Sequence, residues 1–260
     1  MRAVRRLSTA GLLIAALAAL AALAALLLAF PHRVEAQEPD ATPEGGFVDV
    51  IKVDGLLDPI MVNFIELSIA QSEQDDARWL VLQVNTTGSV VSAEDFQGLI
   101  DRLSTSFVPI AIWVGPSGSE LINEPARMVV SAFADEFGMA PGTSFGNWGD
   151  ASEVPQVVAS GAMQRFATFG PAVDRTVGSQ EAADLGMTTR DAPTIGEFLL
   201  NLPNVESREV TQDDGRVSRE PVTVVRFGQL SLVDQLMHSV ASPAVTYLLL
   251  AVGLGLIVFE

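Results

Sequence analysis

Blocks of continuous apolar residues alternate along this chain with blocks of helical period. Residues 47–53, 79–84 and 108–114 are runs rich in Val and Ile. They are too continuously apolar for a half-exposed antiparallel edge, so they predict short strands covered on both faces. Between them, Asp58 followed by Pro59 opens a predicted helix over Pro59–Gln74, and Ser92 with Asp95 three residues later opens another over Ala93–Ser104, which are N-terminal capping patterns. Strand-helix-strand-helix-strand predicts an α/β domain with a mainly parallel sheet.

The later pattern predicts a helix beginning near Asn123, a strand and loop over 136–146, and helices around 155–169 and 179–185. Val210 and Val217 flank Asp213, Asp214 and Gly215, a turn signal, and residues 222–227 are strand-like. Together they predict a small hairpin or meander, followed by a helix over 230–239.

Two apolar stretches stand outside this frame. Residues 8–30 are an almost uncharged run of Ala, Leu and Ile behind Arg2, Arg5 and Arg6, the layout of an export signal. Val34, Glu35 and Ala36 offer small residues at a cleavage site, and an uncleaved anchor is the alternative reading. Either way the arginines stay cytoplasmic and the domain lies beyond the membrane. Residues 244–259 carry no charge. As a helix they reach about 24 Å against a hydrocarbon core of about 30 Å, so extension back to Ser239 is needed to span; a core helix is the competing reading.

The expected organisation is a signal peptide or signal anchor over 1–36, a Pro/Gly-rich linker over 37–46, and an α/β domain over 47–200. A β-hairpin extension over 201–229, a juxtamembrane helix over 230–242 and a transmembrane helix over 243–260 complete it.

Charge and chemistry narrow the function. The chain has a formal net charge of −17, which argues against nucleic acid or anionic lipid headgroups as ligands. There is no cysteine, and the two histidines, His32 and His238, fall outside 47–200, so that segment holds neither a Ser-His-Asp triad nor a His-based zinc site. No cofactor or metal is expected. Lys52 is the one lysine, and at the rim of a sheet it is solvated; it becomes a general base only if it points into a cleft. Glu120 and Glu124 are a coincidental acid pair in so acidic a chain.

Three stretches in order carry a resemblance. They are Val50-Ile51-Lys52-Val53-Asp54-Gly55, then Leu80-Val81-Leu82-Gln83-Val84-Asn85-Thr86-Thr87-Gly88-Ser89, then Val108-Pro109-Ile110-Ala111-Ile112-Trp113-Val114-Gly115-Pro116-Ser117-Gly118. With Met139-Ala140-Pro141-Gly142-Thr143 and Gln180-Glu181-Ala182, this order resembles the NfeD-type, ClpP-class membrane serine proteases, also known as stomatin operon partner proteins. The resemblance implies a ClpP/crotonase-like fold and a Ser/Lys peptidase site. It also implies a homo-oligomer at the cell membrane and a stomatin-like (SPFH-type) partner.

The same resemblance places the family's nucleophilic serine at Asn123 and its lysine near Pro171, and neither residue can do the chemistry. The oxyanion loop becomes Thr87-Gly88-Ser89 in place of Pro-Gly-Gly, with Ser89 expected to strain wherever glycine takes positive φ. Glu124 puts a carboxylate where a developing oxyanion would sit. Asn123 is expected to be an N-cap, with Glu124 and Pro125 in the first turn. Ser117 and Ser119 are the weak alternative nucleophiles. The expected function is therefore a proteolytically inactive scaffold or binding member of the family. An active membrane serine endopeptidase with rewired residues is the alternative, and a crotonase-type acyl-CoA enzyme is disfavoured by export away from cytoplasmic thioesters.

Overall fold

The computed structural model describes residues 46–131, 134–149, 168–189, 192–211, 217–241 and 243–259. Its centre is a five-stranded parallel sheet of β1 (Phe47–Asp54), β2 (Trp79–Asn85), β3 (Ile110–Val114), β5 (Glu136–Met139) and β10 (Val224–Gly228), in the order β10-β1-β2-β3-β5. Every residue of β3 and of β5 is buried, which explains the continuous apolar runs of the sequence.

The helices form because their starts are capped as the sequence suggests. In α1 (Pro59–Gln74) the Asp58 carboxylate accepts from the Met61 amide at 2.8 Å, and in α2 (Ala93–Ser104) the Ser92 hydroxyl accepts from the Asp95 amide at 3.1 Å. Each such cap contributes about 1 kcal/mol. Both helices lie on one face of the sheet, where Ile65, Ile69, Phe96 and Leu99 meet Ile51, Leu80, Leu82 and Ile112 in one core. The alternate residues Val50, Val81, Ala111 and Trp113 face the other side and pack on Phe198, Leu199 and Leu202, as the two-residue period of a strand requires. Phe198 and Leu199 come from α5 (Ile195–Leu200). Burial of each such side chain is worth about 1.5–3 kcal/mol, so the sheet is held from both faces.

A second sheet contains β4 (Glu120–Ile122), β6 (Ser144–Gly146) and β7 (Thr176–Gly178), with β4 and β6 parallel and β6 and β7 antiparallel. The segment expected as one strand and loop over 136–146 thus supplies one strand to each sheet. Phe145 from β6, Phe137 from β5 and Phe169 tie the two together, with ring centroids 4.9–5.9 Å apart. The helix α3 (Arg127–Ser131) follows a 3-10 turn, Glu124–Ala126, and α4 (Ser179–Asp184) follows β7. The expected helix around 155–169 falls mostly outside the described residues, as do the export signal and the Asp213-Asp214-Gly215 turn.

The hairpin is real, formed by β8 (Ser207–Thr211) and β9 (Val217–Pro221). The run expected to extend it as a meander does otherwise. β10 leaves the hairpin and pairs in parallel with β1, because Arg226 clamps it there: its guanidinium reaches Asp49 at 2.6 and 2.8 Å and Asp75 at 2.6 Å. Two further helices follow, α6 (Leu232–Ala241) and α7 (Pro243–Phe259). Among the described residues no single helix is long and apolar enough to cross a membrane. The pair Leu232–Val240 and Val245–Phe259 meets that test together, bent by 72°.

Candidate functional site

β4 delivers Asn123 to the surface where four loops converge. Its edge is fixed by the segment after β2, since the Thr86 amide donates to the Glu120 carbonyl at 2.7 Å and Ile122 donates back to Thr86 at 3.2 Å. Asn123 then turns sharply, with φ 61° and ψ −152°, a region that belongs almost wholly to glycine. Its amide donates to Gly146 at 2.9 Å, its carboxamide N–H to Thr87 at 2.7 Å, and its carboxamide oxygen accepts from Asn147 at 3.0 Å. Asn147, itself at φ 59°, donates its amide to Ala172 and Arg175 at 2.7 and 3.0 Å. Gly146 has φ 119°, and a Cβ there would stand 2.6 Å from the Arg175 carbonyl, so only glycine lets these loops close.

These bonds bring most of the sequence-predicted positions together. They tie the Asn123–Glu124 turn to Thr87, which precedes Gly88 and Ser89, and through Asn147 to Ala172, in the 3-10 turn Gly170–Ala172 that holds Pro171. Asn123 occupies the N-cap position of the 3-10 turn, its carbonyl accepting from the Ala126 amide at 3.0 Å, but its side chain does not cap it. At positive φ its side chain is carried away from the following amides and makes no capping bond, so the carboxamide bridges two loops instead. Ser89 is not strained either, because neither it nor Gly88 adopts a positive φ. The Gly88 carbonyl is held by the Leu57 amide at 2.9 Å and the Thr86 hydroxyl at 3.2 Å. Among the described residues neither Gly88 nor Ser89 uses its amide N–H in a hydrogen bond.

The alternative nucleophiles lie apart from this convergence. The Ser117 hydroxyl donates to the Pro141 carbonyl at 2.6 Å, and Ser119 is buried at 4% exposure with its amide donated to Pro116. Lys52 is exposed and pairs with Asp54 at 3.0 Å. Burial pushes the Asp54 carboxyl up, but the hydrogen bonds from Lys52 and Asn85 outweigh it and hold that carboxyl below its ordinary value of 3.8. Glu120 stands on β4 and Glu124 in the turn that follows.

One residue of the site region escapes sequence reasoning. His238, on α6, places Nδ1 2.8 Å from Asp58 and Nε2 3.0 Å from the Asp54 carbonyl. With Asp58, Asn85 and Thr87 it lines a cavity of about 470 Å³ behind the Thr87–Gly88 loop. This is an Asp-His pair, but the nitrogen that a triad would aim at a serine is taken by a backbone carbonyl. Nothing in a separation of 180 residues signals the contact.

The Asn123 turn thus follows β4 of the smaller sheet, beside the five-stranded parallel sheet. No protein-family model and no curated protein sequence matches the chain. Among solved structures it is similar to 1510-N, described as a membrane protease specific for a stomatin homolog from Pyrococcus horikoshii, at 19% identity and a TM-score of 0.52, covering 76% of this chain and 99% of that one. A mutant of 1510-N, described as a membrane-bound stomatin-specific protease in complex with a substrate peptide, is similar at 20% identity and a TM-score of 0.53, covering 75% of this chain and 97% of that one. The likeness is one of fold, and at that level the ClpP-class expectation drawn from the sequence holds.

Proposed function

We infer that the protein is a membrane-anchored, extracytoplasmic ClpP-class domain that has lost peptide hydrolysis and retains peptide-segment binding as a partner of a membrane protein. The observation that carries this is Asn123. It stands at the turn where the resemblance puts a nucleophile, in a strained backbone, with its carboxamide bonded to Thr87 on one side and Asn147 on the other. An amide so placed cannot form the alkoxide that acyl transfer needs, while the unengaged N–H groups of Gly88 and Ser89 remain able to donate to a peptide carbonyl. A stomatin-like protein is the proposed partner, by analogy with the described specificity of 1510-N, and self-association is part of the same reading. Rewired proteolysis has no observation in its favour, since Ser117 is bonded to a carbonyl and Lys52 to a carboxylate.

The test is labelling of the detergent-solubilised chain by a fluorophosphonate, beside hydrolysis of apolar peptides. No labelling and no hydrolysis above a mock purification are expected. Hydrolysis abolished by Ser117→Ala or Ser119→Ala would transfer the site to a neighbouring serine and end the inactive reading.

A further inference from the structure

The helix α6 is docked inside out. Leu232, Val233, Leu236, Met237 and Val240 recur at the spacing of one helical stripe and are 82, 67, 60, 49 and 39% exposed. Its other side carries Asp234, Gln235, His238 and Ser239. An ordinary surface helix turns its apolar stripe to the core and its polar side to water. Here the polar side meets the domain, through the His238 ring on Asp58 and the Asp54 carbonyl. Gly55 makes room for that ring: it has φ 93°, and a Cβ there would lie 2.8 Å from His238 Nε2.

We propose that α6 lies in the interface of a lipid bilayer, its apolar stripe among the upper acyl chains and its polar side clasped to the domain by His238. The reading rests on α7 entering the same bilayer. Continuity supports this occupant, because the stripe runs on into α7, where Tyr247, Leu248, Leu249 and Leu250 are all more than half exposed around the helix. Four consecutive exposed apolar residues face every direction, which suits lipid and does not suit a single protein partner. The 72° bend between the helices lets one lie along the surface while the other descends, and Tyr247 falls where interfacial aromatic residues gather. Interfacial helices commonly carry Lys and Arg on the polar face, and α6 has neither. Its polar face keeps the acidic Asp234 exposed and gives His238 to the domain, so binding calls for no anionic lipid, in keeping with the acidic chain. Ser239 and Val245 line the cavity behind the Thr87–Gly88 loop, so this arrangement sets that cavity at the membrane surface.

The chain has no cysteine, so single replacements report cleanly. Leu236→Cys, Val233→Cys, Asp234→Cys and Leu250→Cys, each labelled with an environment-sensitive nitrobenzoxadiazole, are placed as full chains in phosphatidylcholine nanodiscs with doxyl quenchers at shallow or deep acyl positions. Probes at 233 and 236 are expected to be quenched at least twofold more than the probe at 234, and by the shallow quencher above the deep one; the probe at 250 should favour the deep quencher. Probes at 233 and 236 no more quenched than 234, with 250 quenched, would overturn the interfacial helix and leave the membrane helix standing. No quenching at 250 would sink the membrane helix, and the proposal with it. Disulfide-linked dimers of Leu236→Cys without lipid quenching would assign the stripe to a second copy and overturn the proposal as well.

Discussion

At the scale of single residues, strain and hydrogen bonding at Asn123 oppose each other and can be separated. A backbone in this region costs a residue other than glycine about 1–3 kcal/mol, while its two side-chain hydrogen bonds return about 1 kcal/mol each at a partly exposed site. Asn123→Ala loses the bonds and keeps the strain, whereas Asn123→Gly loses both. Glycine is thus expected to be more stable than alanine at this position by about 1–2 kcal/mol in urea unfolding, and equal stabilities would refute the strained turn. Asn123→Ser is expected to give no hydrolysis, since no lysine other than the Asp54-bound Lys52 exists in the chain. A second residue-scale prediction concerns Glu73. The hydrogen bonds from Arg102 at 3.0 and 2.6 Å lower its carboxyl below the ordinary 4.5, burial opposes them, and the Phe107 amide adds to the lowering. A depressed folded value means stability that is present above the unfolded value and lost as pH falls through the folded one. The urea midpoint should therefore drop as pH is lowered from about 4.5, and less steeply in Glu73→Gln. Of the candidate site, Asn123 and the Thr87-Gly88-Ser89 loop were pointed to by the family resemblance of the sequence and by no local signal of their own. Their backbone was misjudged, because φ is imposed by loops meeting from distant segments and not by the residue type. Asn is favoured both as a side-chain N-cap and at positive φ, and only the contacts with Gly146 and Thr87 decide between them.

At the scale of elements, the strands and capped helices were legible wherever local period and tertiary burial agree. The Pro59 and Ala93 starts are set by side chains three residues away, so they could be read directly. β10 was legible as a strand but its partner was not, because a half-exposed strand following a hairpin has no local signal for its neighbour. That partner is chosen by Arg226 bridging Asp49, on the adjacent strand, and Asp75, just beyond α1. Asp49 also accepts from Ser72 at 2.7 Å and its side chain is only 13% exposed. Removing the arginine leaves that carboxylate buried beside an apolar sheet. Arg226→Ala should cost about 2–3 kcal/mol, at or below the low end of the roughly 3–5 kcal/mol for a fully buried pair because the guanidinium is itself one-third exposed. Hydrogen exchange should rise at β10 and β1 while β2 and β3 stay protected. Uniform loss of protection across the sheet would mean that the clamp holds the whole fold and not its edge.

For the whole molecule, the open question is which side of the membrane the acidic domain occupies. Arg2, Arg5 and Arg6 precede the first apolar run, and the positive-inside tendency keeps them in the cytoplasm. On the proposed reading the run after them carries the chain across whether or not it is then cleaved, and the domain lies outside. The inverted docking of α6 fits an outward domain resting on the outer leaflet, where its large negative charge meets no anionic cytoplasmic surface. A reporter has to be exposed to test this. Ser72 fails, being 1% exposed and bonded to Asp49; Phe107, 92% exposed in the loop between α2 and β3, does not. In an otherwise cysteine-free chain, Phe107→Cys should react with a membrane-impermeant maleimide on intact cells to the same extent as after lysis. Reaction only after lysis would place the domain in the cytoplasm, and would refute the extracytoplasmic assignment while leaving the fold and the α6 contacts untouched.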